Sequence, residues 1–216
     1  MYLCLETATR NCSVALIKDN VLVDLFERAE TEFVHAEALH QMIKDILDRN
    51  NLKPSDLIGI AVGIGPGSYT GLRIGVTAAK GLAYALNIGM VTATTGELLA
   101  NAVRNESGHT PVALIDARRN DAYVYAKGNW SFATLNDEWR ANLGVEKAIF
   151  VGDAAFKTKE LAWKEDRVKE MSPSAQYFSG LLPQTSANFE EHMAQIEPFY
   201  MKEFVPTESK KNILNG

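Results

Sequence analysis

The chain has 216 residues, of which 46% are hydrophobic and 23% are charged, and this composition is typical of a folded globular protein. Its formal net charge of -5 and its pI near 5.5 argue against tight, unaided binding to nucleic acid, which needs a basic surface. The sequence shows neither an apolar run long enough to span a membrane nor the pattern of a signal peptide, so we expect a cytoplasmic protein.

The first half of the chain predicts strands and helices in alternation. Residues 2–7 form a short apolar strand, and residues 12–30 alternate apolar and polar side chains as two further strands around a turn. Residues 35–50 repeat apolar side chains at helical spacing. The apolar run 57–65 predicts a buried parallel strand, and a helix follows over 70–87. A short strand and a second amphipathic segment then lead to Gly108.

The second half begins with a pattern that resembles the start of the chain. In both places an acid ends an apolar strand and an Arg-Asn pair precedes the next strand: Glu6, Arg10 and Asn11; Asp116, Arg119 and Asn120. This echo predicts two lobes built on a similar plan, 1–106 and 107–216, with the last segment free to pack back on the first lobe. Further on, Ser172 is expected to cap a helix, and residues 190–204 predict another helix, interrupted at Pro198.

The segment from Gly63 to Gly75, GIGPGSYTGLRIG, is the most unusual part of the sequence. It nearly fits the phosphate-binding loop of nucleotide triphosphatases and the dinucleotide-binding fingerprint, but it completes neither pattern. The start of the following helix could still attract an anion. We favour a structural role, in which the segment begins a helix and lets it pack closely on its own sheet; the residues concerned are Gly65, Gly67, Ser68, Gly71 and Gly75.

The helix over 70–87 has so little polar surface that we expect it to be buried on more than one side. Two interpretations of its apolar flank are open. The helix over 35–50 could cover the flank completely, or the two helices together could present an apolar face to another protein. The second interpretation predicts a partner interface made of eight residues: Leu39, Met42, Ile43, Ile46, Leu72, Val76, Ala79 and Ala83.

The sequence offers no complete catalytic or metal-binding set. His35 and His40 are five residues apart, which places them on different sides of a regular helix, so we expect no metal site. Ser68 and Thr70 lack the nucleophile motif of serine hydrolases, and we do not expect protease activity. Asp116, Arg118 and Arg119 form either a solvated hairpin with a local ion pair or a contact with a phosphate or an acidic partner.

Four segments, LETATRNCSVAL, GIGPGSYTGLRIGVTAAKGLA, IDARRNDAYVY and EPFYMK, occur in this order and resemble the TsaB (YeaZ) family of tRNA threonylcarbamoyladenosine synthesis. The resemblance extends to about residue 202 and is weakest between about 128 and 190. It implies an α/β fold of the acetate kinase, sugar kinase, Hsp70 and actin group, in which each of two lobes is a mixed sheet flanked by helices.

The resemblance also implies a function. TsaB proteins are non-catalytic subunits that act with TsaD and TsaE, while TsaD transfers a threonylcarbamoyl group to the adenosine next to the tRNA anticodon. They also form homodimers through their first two helices, here 35–50 and 70–87. The chain would then contact tRNA only through the complex and hold no cofactor alone, with ATP or ADP restricted to the junction with TsaD.

The alternative is a small-molecule kinase or hydrolase of the same fold group. In nucleotide-using relatives an aspartate after the first strand helps to hold the metal–phosphate group, but this chain has Glu6, and the longer side chain argues against such chemistry. Glu6 and Thr7 are nevertheless candidates for contact with a phosphate or a partner.

Overall fold

Two five-stranded mixed sheets form the framework of the protein. The computed structural model describes residues 1–29, 35–183 and 195–201, and only the backbone of residues 35–37. In the first sheet the strand order is β3-β2-β1-β4-β5. The strands of this sheet are β1 (Tyr2–Glu6), β2 (Asn11–Lys18), β3 (Val21–Ala29), β4 (Gly59–Gly63) and β5 (Gly89–Ala93).

The second sheet repeats the plan of the first. Its strand order is β8-β7-β6-β9-β10, so that each strand corresponds to one in the first sheet. In both sheets the central strand pairs antiparallel with a hairpin partner on one side and parallel with a later strand on the other. The two-lobe plan inferred from the sequence echo is therefore confirmed. The strands are β6 (Thr110–Asp116), β7 (Asp121–Ala126), β8 (Asn129–Thr134), β9 (Ala148–Gly152) and β10 (Arg167–Glu170).

Helices cover both faces of the first sheet because successive side chains of its buried strands point to opposite faces. Helices α1 (His35–Arg49) and α2 (Tyr69–Leu86) pack on the face that carries Leu3 and Leu5. Helix α3 (Thr95–Ala102) and a 3-10 turn (Ala175–Phe178) pack on the opposite face.

Helix α3 joins the two sheets. Its Leu98 belongs to the core of the first sheet, while Leu99 and the following Val103 belong to a core cluster of the second sheet. Gly96 lies so close to the second sheet that a Cβ atom there would be 2.5 Å from Cβ of Tyr125. Helix α3 therefore packs between the two sheets and contributes to the core of each. A short helix, α4 (Asp137–Asn142), follows β8 on the other side of the second sheet.

The segment after β10 differs from the prediction. The residue that caps the short 3-10 turn is Ser174, not Ser172, because the segment bonds to the first sheet: Asn11 Nδ2 donates to the Pro173 carbonyl at 3.0 Å, and the Ala175 amide donates to Ser13 Oγ at 2.9 Å. Of the helix predicted over 190–204, the described part, residues 195–201, is not helical, and the rest lies outside the described residues.

Candidate functional site

The glycine-rich turn packs on the connection between β1 and β2. The Ser68 amide donates to the Ala8 carbonyl at 2.6 Å, and a Cβ atom on Gly67 would lie 2.3 Å from that same oxygen. Ser68 Oγ accepts a hydrogen bond from the Gly71 amide at 3.2 Å and so caps α2, as the sequence predicts. Ser68 and Gly67 are thus committed to contacts inside the chain.

Helix α2 approaches the end of β1 very closely, at two of its glycines. Thr7 Oγ1 donates to the Gly71 carbonyl at 2.8 Å. A Cβ atom on Gly75 would lie 2.3 Å from the same hydroxyl oxygen, which is closer than van der Waals contact allows. Only glycine fits at position 75 without moving the helix away from the sheet. The structure therefore supports the close-packing role for Gly71 and Gly75.

Ser68→Ala is expected to lower the free energy of unfolding by about 1 kcal/mol, because the Gly71 amide loses its capping acceptor at the start of α2. Urea unfolding followed by circular dichroism measures the change. Ser107→Ala, at an exposed turn position, should change the stability by less than about 0.5 kcal/mol. Equal stabilities of the two variants would contradict the capping role.

Glu6 and Thr7 do not form the predicted contact with a phosphate or partner, because both side chains are fully buried. Gly63, the last residue of β4, lies against the Glu6 carboxyl group, and helix α2 lies against Thr7. Glu6 Oε1 accepts from the Ala8 amide at 2.6 Å, while Oε2 is buried without a hydrogen-bond partner in the described part of the chain. A Cβ atom on Gly63 would lie only 2.0 Å from Oε2. Because Glu6 is fully buried, a metal–phosphate group could not reach this carboxyl group without a rearrangement of the residues around it.

Burial raises the pKa of Glu6 from its ordinary value of 4.5 to about 7, against the lowering effect of hydrogen bonds from the Ala8 and Thr7 amides. The folded state therefore binds the proton more tightly than the unfolded state. As the pH rises from about 4.5 through about 7, the folded state must either keep the proton or bury a charge, so the free energy of unfolding falls.

Glu6→Gln should remove this loss of stability at higher pH, because glutamine is neutral and keeps the acceptor for the Ala8 amide. We expect the variant to match the wild type near pH 5 and to be more stable by about 2 kcal/mol near pH 8. Urea unfolding at the two pH values measures the difference. Glu160→Gln, the same change at an exposed position, is the control for the substitution itself. A Glu6→Gln profile parallel to that of the wild type would contradict the assignment.

The eight residues of the predicted partner interface lie in the interior of the chain. Their exposed fractions run from 0% to 6%, the highest being that of Ile43. The reason is that α1 and α2 pack against each other and against the first sheet, so the apolar flanks of both helices close one intramolecular core. The outward orientation predicted for Leu72, Val76, Ala79 and Ala83 is therefore wrong, and the last three lie in the core that the helix over 35–50 helps to close.

A different surface of the same two helices is open to solvent. It is a groove of about 500 Å³ along α2, which has Ala78 and Gly81 among its lining residues and extends to one residue of α1. We call it the α1–α2 groove. Its walls are mainly apolar, and Arg73 and His40 bring polar groups to it. The lining residues are His40, Arg73, Ile74, Thr77, Ala78, Gly81 and Leu82.

At Gly81, which lines this groove, packing within the described chain does not require a glycine. It lies inside α2, it is exposed, and a Cβ atom placed on it would meet nothing within 4 Å. Glycine in the interior of a helix costs roughly 0.5–1 kcal/mol relative to alanine. The sequence contains a signal for this position, a glycine in the middle of a helix, but the pattern alone does not separate Gly81 from the closely packed Gly71 and Gly75.

The turn between β6 and β7 presents Asp116, Arg118 and Arg119 to solvent. Asp116 Oδ1 accepts from the Arg118 amide at 2.9 Å and from Lys157 Nζ at 2.5 Å, so the local ion pair is made with Lys157. The Asp116 amide donates to Asp153, whose pKa burial raises to about 6. The side chains of Arg118 and Arg119 extend from backbone with φ of 73° and 49°. Their contact with a phosphate or an acidic partner stays a prediction.

Metal ligands do not cluster in the part of the chain that the structure describes. No group of three or more histidine, cysteine, aspartate or glutamate side chains in these ranges is placed to hold a metal ion. His40 is exposed, whereas the side chains of His35 and His192 lie outside what the structure describes. Within the same ranges, none of the helices has both the length and the apolarity needed to cross a membrane.

Comparison with known families gives one match that covers most of the chain. The family model for TsaD, described as tRNA N6-adenosine threonylcarbamoyltransferase, matches residues 29–196. The tRNA threonylcarbamoyladenosine biosynthesis protein TsaB of Escherichia coli (strain K12) is 38% identical over 122 residues, which cover 56% of this chain and 52% of that protein. TsaB of Bacillus subtilis (strain 168) is 34% identical over 123 residues, with 56% and 52% covered. The chain thus spans about half the length of the curated relatives it matches.

Solved structures extend the similarity over most of the chain. YeaZ from Pseudomonas aeruginosa superposes with a TM-score of 0.65 at 27% identity, covering 83% of this chain and 89% of that one. A second structure, an uncharacterized protein described as similar to the peptidase YeaZ from Pseudomonas aeruginosa, gives a TM-score of 0.69 at 26% identity, covering 93% and 99%. Both lobes of the fold therefore occur together in solved relatives.

Proposed function

The chain belongs to the TsaD-like family of tRNA threonylcarbamoyladenosine biosynthesis, in which its relatives from Escherichia coli and Bacillus subtilis are TsaB proteins, and from this premise we propose that it is a non-catalytic subunit of the threonylcarbamoyl transferase. In this role it binds TsaD, and TsaE joins the pair. TsaD performs the transfer to the adenosine next to the tRNA anticodon. The chain meets tRNA in the cytoplasm, and only through the complex.

The observation that carries this proposal is the α1–α2 groove with Gly81 among the residues that line it. An open, mainly apolar groove on a helix pair fits a docked helix better than it fits a small polar substrate. The absent side chain at Gly81 leaves space for a partner to approach the α2 backbone, which would offset the helix stability that glycine costs. We place the docking site for TsaD, and that of a homodimer, on this surface.

A kinase or hydrolase function has less support. Kinase chemistry in this fold group needs an acid at the end of the first strand that reaches the phosphates, but Glu6 is fully buried beside Gly63 of β4. One solved relative is described as similar to a peptidase, yet the Ser68 hydroxyl here accepts the capping bond of α2. We propose that ATP or ADP binds only at the junction with TsaD, and Arg118 and Arg119 remain candidates for contact with a phosphate or an acidic partner.

The chain alone should not modify tRNA, whereas the chain with TsaD and TsaE should restore full transfer. The test incubates tRNA and threonylcarbamoyl-AMP with the chain, with TsaD and TsaE, and with all three proteins of the same organism, and measures modified adenosine by mass spectrometry. Co-purification with TsaD is measured in parallel. Modified adenosine from the chain alone, or full activity of TsaD and TsaE without it, would contradict the proposed function.

A further inference from the structure

Two tyrosines hold Arg73 at the α1–α2 groove. Its guanidinium carbon lies 3.9 Å from the centre of the Tyr69 ring, one turn earlier in α2. The Tyr69 ring in turn packs on Tyr200 at 5.0 Å between ring centres, and Arg73 Nε donates to Tyr200 Oη at 3.2 Å. The guanidinium plane is therefore stacked on one ring and hydrogen-bonded to another.

The segment that carries Tyr200 is itself fastened to both lobes. The Phe199 amide donates to the Ile64 carbonyl, in the glycine-rich turn, at 2.7 Å. The Phe199 ring lies 6.0 Å from that of Trp130 in β8. Tyr200 thus reaches α2 directly after Phe199, which contacts both lobes. A side chain held in this way loses little conformational freedom when it binds a partner, which favours affinity.

Within the residues that the structure describes, no carboxylate pairs with Arg73, and its two terminal nitrogens have no hydrogen-bond partner. Arg49, on α1, has both kinds of partner, an aromatic ring and a carboxylate. It lies 5.4 Å from the centre of the Phe26 ring, and its Nε and Nη2 donate to the two carboxylate oxygens of Asp24 at 2.8 and 2.9 Å. Arg73 has the aromatic support but, among the described residues, no acid beside it. Since Tyr200 occupies Nε, a carboxylate can approach Arg73 only end-on, through the terminal nitrogens.

We propose that Arg73 is the charged anchor of the α1–α2 groove and that the partner docked there presents a carboxylate to it. The partner is a protein helix with an aspartate or glutamate at the Arg73 end and small apolar side chains along Ile74, Gly81 and Leu82. Tyr69 and Tyr200 are positioning residues for the anchor. This inference rests on the proposed docking of TsaD and adds the chemistry that selects the docked helix.

The test measures the affinity of TsaD from the same organism for the wild-type chain and its variants, by titration calorimetry at about 0.05 and 0.5 M salt. Arg73→Gln should weaken binding about 10- to 100-fold at low salt and less at high salt, because it removes a charge-assisted hydrogen-bonded pair. Arg73→Lys should keep part of the affinity, since lysine is a point charge without a fork. Tyr200→Phe should weaken binding a few-fold, because the ring stays and the acceptor for Nε is lost.

The control is Arg104→Gln, which removes an exposed arginine that donates to a backbone carbonyl outside the groove; it should bind as the wild type does. If Arg73→Gln binds normally at both salt concentrations while Leu82→Glu does not, the proposed role of Arg73 is wrong, but the α1–α2 groove is still the docking site. If the wild type does not bind TsaD, both proposals fail. If Arg73→Gln weakens only self-association in sedimentation, the occupant is a second copy and the assignment to TsaD is overturned.

Discussion

Ala79→Glu is expected to unfold the protein rather than to release a partner. Ala79 is fully buried in the core that α2 shares with α1 and the first sheet, in the same cluster as Leu39 and Ile46. A glutamate there would bury an unpaired carboxylate and add heavy atoms to a packed interior. The combined cost is on the order of 5 kcal/mol, which is comparable with the whole stability of an ordinary domain.

Circular dichroism and urea unfolding measure this effect. The matched control is Thr77→Glu, two residues earlier on the same helix but exposed, which should change the free energy of unfolding by less than about 0.5 kcal/mol. An Ala79→Glu protein with a normal urea midpoint would show that this flank is open to solvent, and the packing of α1 on α2 would then be wrong.

Gly81→Trp should abolish partner binding while the fold stays intact. A Cβ atom at this position meets nothing within 4 Å, and the position lines the α1–α2 groove, so we expect the ring to fill the groove without disturbing the core. Loss of a central contact in an interface commonly costs about 2 kcal/mol or more, and blocking the whole groove should weaken TsaD binding at least about 100-fold. Homodimer formation should be lost as well.

Two further variants separate occlusion of the groove from other effects. Ala85→Trp places the same ring on an exposed position of α2 that does not line the groove, and it should bind TsaD normally. Gly81→Ala should raise the free energy of unfolding by roughly 0.5–1 kcal/mol, as expected for a helix-interior glycine, and weaken binding less than tryptophan does. Equal binding by Gly81→Trp and Ala85→Trp would remove the groove from the proposed function.

Local sequence patterns determined much of the architecture of this protein. The antiparallel meander, helices α1 and α2 and the shared plan of the two sheets follow from periodicity and from the echo around Glu6 and Asp116, because these patterns act over a few neighbouring residues. The cap at Ser68 is equally local. Three short elements, β8, α4 and β10, were not predicted, since segments of four to six residues contain too few repeats to show a period.

Only the tertiary structure shows which surfaces are open to solvent. The period of an amphipathic helix shows that Val76 and Ala79 prefer to be buried, but burial by α1 and burial by another protein give the same pattern. The burial of Glu6 depends on Gly63, almost sixty residues away, which lies against its carboxyl group. Likewise, Tyr200 meets Arg73 across 127 positions of sequence. Such long-range contacts depend on how the elements pack, so no local pattern of residues contains them.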